Sequence, residues 1–129
     1  MDTDHEQLRA LVQRYARAAD ARDIPGLRAL FHPEATIDGA RGPQSLAQWL
    51  EAMAGPRAYP ASMHFLGDPL IRLEGASAEL DTYAVVYQIG ERASGQTDLT
   101  LGIRYLDTVE RSDGGWLIRN RRAETVWVR

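Results

Sequence analysis

His64 is the residue of this chain best suited to acid–base chemistry. It sits in MHFLGDP, residues 63–69, at the start of a stretch that otherwise reads as a buried strand. An imidazole titrates near working pH and can act as base or acid. The other two histidines offer less: His5 lies in a segment that reads as a frayed terminus, and His32 in the turn FHPE. The plain alternative for His64 is a core or edge histidine held by one hydrogen bond. A catalytic imidazole needs a second group, usually a carboxylate, to orient it and fix its tautomer. Asp20 and Asp23 both qualify. Asp20 falls near the C-terminal end of the first helical segment, where a negative charge opposes the helix dipole, so local helix energetics do not ask for it. A surface pair with Arg17 is its ordinary reading. Asp23 lies nearer the apolar stripe if that helix runs on, but it is also placed to cap the segment that follows. The residue pattern leaves the two carboxylates open.

Tyr15 falls on the apolar face of the first helix. It is either a core tyrosine with its hydroxyl at the rim or a phenol aimed into a pocket. Near the C-terminus, Arg119 and Arg121 alternate onto one face of the last strand and Arg122 onto the other. A solvated face with ion pairs is the ordinary reading of such arginines. One of them could instead end in a cavity and stabilise a developing anion.

The elements that must position these groups come in two blocks. Leu8, Leu11, Val12, Tyr15, Ala18 and Ala19 recur at helical spacing and predict an amphipathic helix over 4–22. DIPGLRALF starts a short second helix, with Asp23 as N-cap and Pro25 in the first turn. HPEATIDGARGP is turn-rich, with a short strand around Thr36 and Ile37. PQSLAQWLEAMAG reads as a third helix closed by Gly55. After PRAYP the period changes to two. Strands are expected at 62–74, 78–91, 97–111 and 115–128, separated by the turns EGAS, ERASGQ and SDGG. His64 shares a face with Ser62 and Leu66, whereas Ile71 and Leu73 hold the opposite parity. A bulge near Gly67, Asp68 and Pro69 would reconcile them. Helices first and strands afterwards predict a single α+β domain over 1–129, with a curved antiparallel sheet wrapped around the N-terminal helices.

Composition removes several classes of function. At 129 residues and 44% hydrophobic, the chain supports one core. A net charge of −3 argues against a nucleic-acid-binding module. The absence of cysteine excludes disulfides, thiolate metal sites and a cysteine nucleophile. No apolar run approaches the ~18 residues of a membrane span, and MDTDHEQLRA lacks the features of a signal peptide. A cytoplasmic protein is expected. No glycine-rich dinucleotide or phosphate loop, zinc-protease helix or serine-hydrolase elbow is present. An acid–base site without cofactor or metal is the simplest chemistry left.

Three stretches carry a resemblance: LRALVQRYARAADARDIPGLRALFHPEATIDG, SMHFLGDPLIRLEGASAELDTYAVVY and YLDTVERSDGGWLIRNRRAE. Together they resemble SnoaL-like proteins of the nuclear-transport-factor-two-like superfamily. The branch concerned holds scytalone dehydratase, hexachlorocyclohexane dehydrochlorinase and bile-acid 7α-dehydratase. The resemblance implies a cone-shaped α+β fold enclosing a pocket. It implies that Asp20, ahead of the G-L-x-x-L-F stretch from Gly26 to Phe31, pairs with His64. It further implies that Tyr15 and Arg121 line the same pocket. The implied activity is a cofactor-independent elimination on a hydroxylated, apolar ring, steroid-like or polyketide-like. No second histidine follows on a later strand as in scytalone dehydratase, so scytalone itself is not the expected substrate. Isomerase, polyketide cyclase or hydrolase activity would use the same pocket. A non-catalytic ligand-binding or assembly module is the reading from another class, and a His64–Asp20 separation beyond ~7 Å would favour it. A homo-oligomer, dimer or trimer, is implied as well.

Overall fold

The computed structural model describes residues 3–129. Helix α1 spans Asp4–Ala21 and is opened by a capping box between Thr3 and Glu6. Its stripe of Leu8, Leu11, Val12, Tyr15 and Ala19 is buried. The helix stops at Arg22, whose backbone is left-handed (φ 53°, ψ 40°). Helix α2, Ile24–Arg28, begins one residue later. Its N-cap Asp23 accepts a hydrogen bond from the Gly26 N–H at 3.0 Å. A Cβ at position 26 would lie 2.3 Å from the Asp23 carboxylate, so this cap requires glycine. Helix α3, Leu46–Ala54, carries a second capping box, from Ser45 and Gln48, and ends at Gly55.

Seven strands form one curved sheet: β1 Phe31–Gly39, β2 Gly42–Ser45, β3 Ala61–Leu66, β4 Leu70–Glu74, β5 Ser77–Ile89, β6 Leu99–Ser112 and β7 Gly115–Val128. Their order is β2-β1-β7-β6-β5-β3, with β4 pairing β5 beyond the end of β3. The inner faces of β5 and β6 (Ala78, Leu80, Ala84, Val86, Ile103, Tyr105, Val109) close onto the α1 stripe to form the core. Among the described residues no helix is long and apolar enough to cross a membrane.

Three expectations need correction. The sheet is mixed, because β1 runs parallel to β7. The segment read as turns with a short strand is a strand of nine residues. It buries Phe31, Ala35 and Ile37 at irregular spacing, because its ladder with β7 breaks between Phe31 and Thr36. The single strand expected over 62–74 is two strands. Chain 67–69 leaves the ladder where the parity change calls for it, and only the Gly67 N–H returns to the Tyr83 carbonyl, at 2.8 Å.

A fourth difference concerns the arginines. In the β6–β7 ladder Thr108 faces Asn120 and Val109 faces Ile118, so Arg119 is an extra residue, a β-bulge. Trp116 and Ile118 point inward before it, and Arg121 and Ala123 after it. Arg119 and Arg121 therefore do not share a face. Arg119 reaches outward to the Glu34 carbonyl at 2.6 Å, filling the gap where β1 leaves its own ladder.

Candidate active site

α1 and the edge strand β3 bring Asp20 onto His64. Asp20 Oδ1 lies 2.6 Å from His64 Nδ1, and Oδ2 accepts the His64 backbone N–H at 2.8 Å. That N–H is free because β3 is the last strand of its edge and this face of its backbone has no neighbouring strand. Ser62, two residues before His64 and on the same side, donates its hydroxyl to Oδ1 at 2.9 Å. Three hydrogen bonds thus offset the misfit of a carboxylate at a helix C-terminus. Arg17 does not take Asp20; it turns back to the side chain and carbonyl of Gln13. Asp23 stays with its cap. A neutral ring that gives its Nδ1 proton to a carboxylate keeps Nε2 unprotonated, which is the form a general base needs.

His64 is largely buried, and burial is the first cause that lowers its pKa from the ordinary imidazole value of 6.5. The hydrogen bond and charge of Asp20 push the other way, while the charges of Arg121 and Arg22 add to the lowering. The ring lines a cavity of about 420 Å³ within the cone, inside the usual range for small-molecule sites.

Tyr15 and Arg121 line the same cavity. The Tyr15 ring meets His64 edge-on at 5.9 Å and Tyr105 at 5.6 Å, and stacks on Trp49 at 6.4 Å. Arg121 is 2% exposed. Its guanidinium lies 3.9 Å from the Tyr15 ring centre and 4.3 Å from that of Tyr105. It is held by Asp107, its direct partner in the β6–β7 register, through Nε at 2.8 Å and Nη2 at 3.0 Å. Burial alone would lower the Arg121 pKa; the Asp107 carboxylate outweighs it and raises it. Nη1 has no partner within the protein. Burial also pushes the Tyr105 phenol well above its ordinary 10.0, so both it and the arginine keep their protons across the working range.

Of the residues singled out from the sequence, Tyr15, His64 and Arg121 line one cavity, and Asp20 stands behind His64, hydrogen-bonded to its ring. Four others were missed. Ser62 was legible as a same-face neighbour of His64. Tyr105 and Asp107 alternate inward in YLD, a pattern that reads equally as an ordinary strand. Arg22 carried a weaker signal, an arginine at a helix end where glycine is favoured. Among the described residues no cluster of histidine and carboxylate side chains is built to hold a metal ion. A larger concavity of about 730 Å³ lies on the other side of α1. It contains no histidine, and its carboxylates Asp23 and Asp113 belong to a helix cap and a turn.

The SnoaL-like domain profile matches residues 3–122. The chain belongs to the SnoaL-like domain family. This SnoaL-like protein is 31% identical over 132 residues to an uncharacterised protein of Mycobacterium tuberculosis, covering 95% of its own length and 85% of the relative. Its architecture is the nuclear-transport-factor-two-like cone. A candidate scytalone dehydratase from Novosphingobium aromaticivorans superposes with a TM-score of 0.83 at 19% identity, over 95% of this chain and 84% of the other. A hexachlorocyclohexane dehydrochlorinase from Novosphingobium barchaimii gives 0.81 at 12% identity, over 95% and 86%. At those identities the likeness is one of fold, which hosts many chemistries.

Proposed function

We propose that this SnoaL-like protein is a cofactor-independent lyase that eliminates water, or a comparable leaving group, from a cyclic small molecule. The observation that carries the reading is the 2.6 Å contact between Asp20 and the Nδ1 of His64, whose ring lies in the wall of a cavity within the cone. His64 Nε2 takes a proton from a carbon next to an activating group, and Asp20 stabilises the imidazolium. The C–H pair becomes the new C=C bond as the C–O bond breaks. The hydroxyl leaves as water with a proton from Tyr15. The phenolate is then reprotonated from the imidazolium through solvent, which resets both groups. Arg121 holds the activating group's developing charge through its unpaired Nη1. Related folds that carry dehydratase and dehydrochlorinase names are in keeping with this chemistry.

The test is a panel of β-hydroxy ring ketones and esters, followed by the absorbance of the conjugated product, with wild type and His64→Gln. Turnover that disappears in His64→Gln supports the reading. Turnover that survives the substitution, or a wild type inert on the whole panel, removes it. Exchange of substrate hydrogen for deuterium without loss of water would point to an isomerase using the same base.

The protein is further proposed to act as a homo-oligomer, associating through the outer face of the sheet. Phe65 is 67% exposed and Tyr83 63% exposed there. With Val85, Val126 and Trp127 they line a shallow apolar depression. A contiguous apolar patch on a sheet face marks an association site.

A further inference from the structure

We propose that the substrate carries a carboxylate, and that Arg22 anchors it at the open end of the cavity with Arg41 beside it. The inference rests on the elimination reading only for which end of the substrate reacts.

The cavity wall has a charge opposite to that of the chain. The protein carries a net charge of −3, yet the residues lining this cavity include Arg22, Arg41 and Arg121 and no aspartate or glutamate. Arg121 is neutralised by Asp107 at the closed end. Arg22 and Arg41 take part in no ion pair among the described residues, and neither does their neighbour Arg57, which reaches only the Ser62 hydroxyl at 3.4 Å. The three are close enough that the charges of Arg57 and Arg41 act against that of Arg22. The Asp20 carboxylate, which also bears on Arg22, is already held by Ser62 and His64. No carboxylate faces these guanidinium groups in the cavity wall.

Arg22 adds two observations of its own. Its Nη1 donates to the Met53 carbonyl at 3.3 Å, while its Nε is buried with no hydrogen-bond partner. Its backbone is left-handed, the only positive φ outside glycine among the described residues. A helix end of this shape favours glycine. Local stability therefore argues against arginine here twice, in the backbone and in the buried donor. Strain and an unsatisfied group of this kind mark functional positions. The guanidinium fork matches a carboxylate in two-point geometry. Arg22 is half-buried and Arg41 exposed, whereas Tyr15, Tyr105 and Arg121 are buried. The cavity thus has a cationic entrance and an aromatic floor, with His64 in its wall. A ring compound with a carboxylate at one end would seat the charge at the entrance and the ring against the aromatic residues.

The experiment is calorimetric titration at low salt with a shape-matched pair of probes, 2-naphthoate and 2-naphthamide. Wild type is expected to bind the carboxylate about ten-fold more tightly or better, the size of exchanging a charge-assisted hydrogen bond for a neutral one. The ratio should fall to about two-fold or less in Arg22→Gln. It should fall equally in Arg22→Gly, whose backbone suits the helix end and which guards against misfolding as an explanation. Arg72→Gln, on the outside of β4, should keep the full ratio. Equal binding of the two probes by wild type overturns the proposal, as does a ratio that survives Arg22→Gly or failure of both probes to bind. The two readings fail separately. A preference for the carboxylate with no turnover of any ring acid leaves the anchor and removes the elimination. Turnover of neutral rings without the preference does the reverse.

Discussion

Arg121 and Asp107 face each other across the β6–β7 ladder and close a two-point ion pair, at 2.8 and 3.0 Å, next to the rings of Tyr15 and Tyr105. The carboxylate is fully buried, so the pair stands or falls as a unit. Asp107→Asn leaves a buried guanidinium without its counter-charge. Breaking such a pair costs about 3–5 kcal/mol, which lowers Tm by about 10 °C or more in a domain of this size. Calorimetry reads this directly, and an unchanged Tm would show that the pair is not structural. The double variant Asp107→Leu, Arg121→Met should recover much of the stability and none of the activity.

His64→Gln keeps the size and polarity of the side chain but cannot accept a proton from carbon. On a substrate found by the ring panel, kcat should fall about 10²–10⁴-fold with the circular dichroism spectrum unchanged. A loss of under about ten-fold would move the base elsewhere.

The pH profile follows from burial. The lowered His64 pKa puts the acid limb of kcat/KM below 6.5. Asp20 opposes that lowering, so Asp20→Asn should move the limb further down while reducing the plateau, because the ring loses its orienting partner. NMR titration of the ring in both proteins is the check. An acid limb above 6.5, or an upward move in Asp20→Asn, would contradict the electrostatics of the site.

The same shift makes stability depend on pH. His64 is harder to protonate folded than unfolded. The unfolded chain therefore binds more protons in the window between the lowered pKa and 6.5. This contribution is fully present above 6.5 and is lost as pH falls through the folded value. Urea unfolding of wild type and His64→Gln across that window should show a steeper acid loss in the wild type. Parallel curves would sink this assignment.

Association through the sheet predicts that Phe65→Glu, on the exposed side of β3, reduces the sedimenting mass without changing the thermal unfolding of the separated protomer. An unchanged mass would place any interface elsewhere.

Position along the chain revealed the helices, because their signals are local: the α1 stripe, the Asp23 cap and the Gly55 closure of the third helix all lie within one or two turns. The interruption at 67–69 was readable too, since side-chain parity changes within one strand. What was hidden depends on partners far away in sequence. HPEATIDGARGP looks like turns because Pro33 and Gly39 suggest breaks, whereas its strand character comes from a parallel ladder with β7 some eighty residues later. Asp20 outranked Asp23 only through family resemblance; what separates them physically is the free N–H of an edge strand, which no local pattern records. Arg22 went unnoticed because its meaning lies in the cavity and not in the helix it ends.

The bulge at Arg119 sets the phase of the last strand. With Arg119 held out of the ladder, the residues around it alternate as if the strand were unbroken, which keeps Arg121 in phase with Ile118. Were Arg119 instead to pair with Thr108 as an ordinary ladder residue, every later side chain would turn over: Arg122 would face inward and Arg121 outward. The chemistry of the closed end thus depends on the pairing of one residue as much as on the letters of β7. Two members of the family could carry the same arginines in the same order and still present different ones to a ligand, according to whether each keeps the bulge.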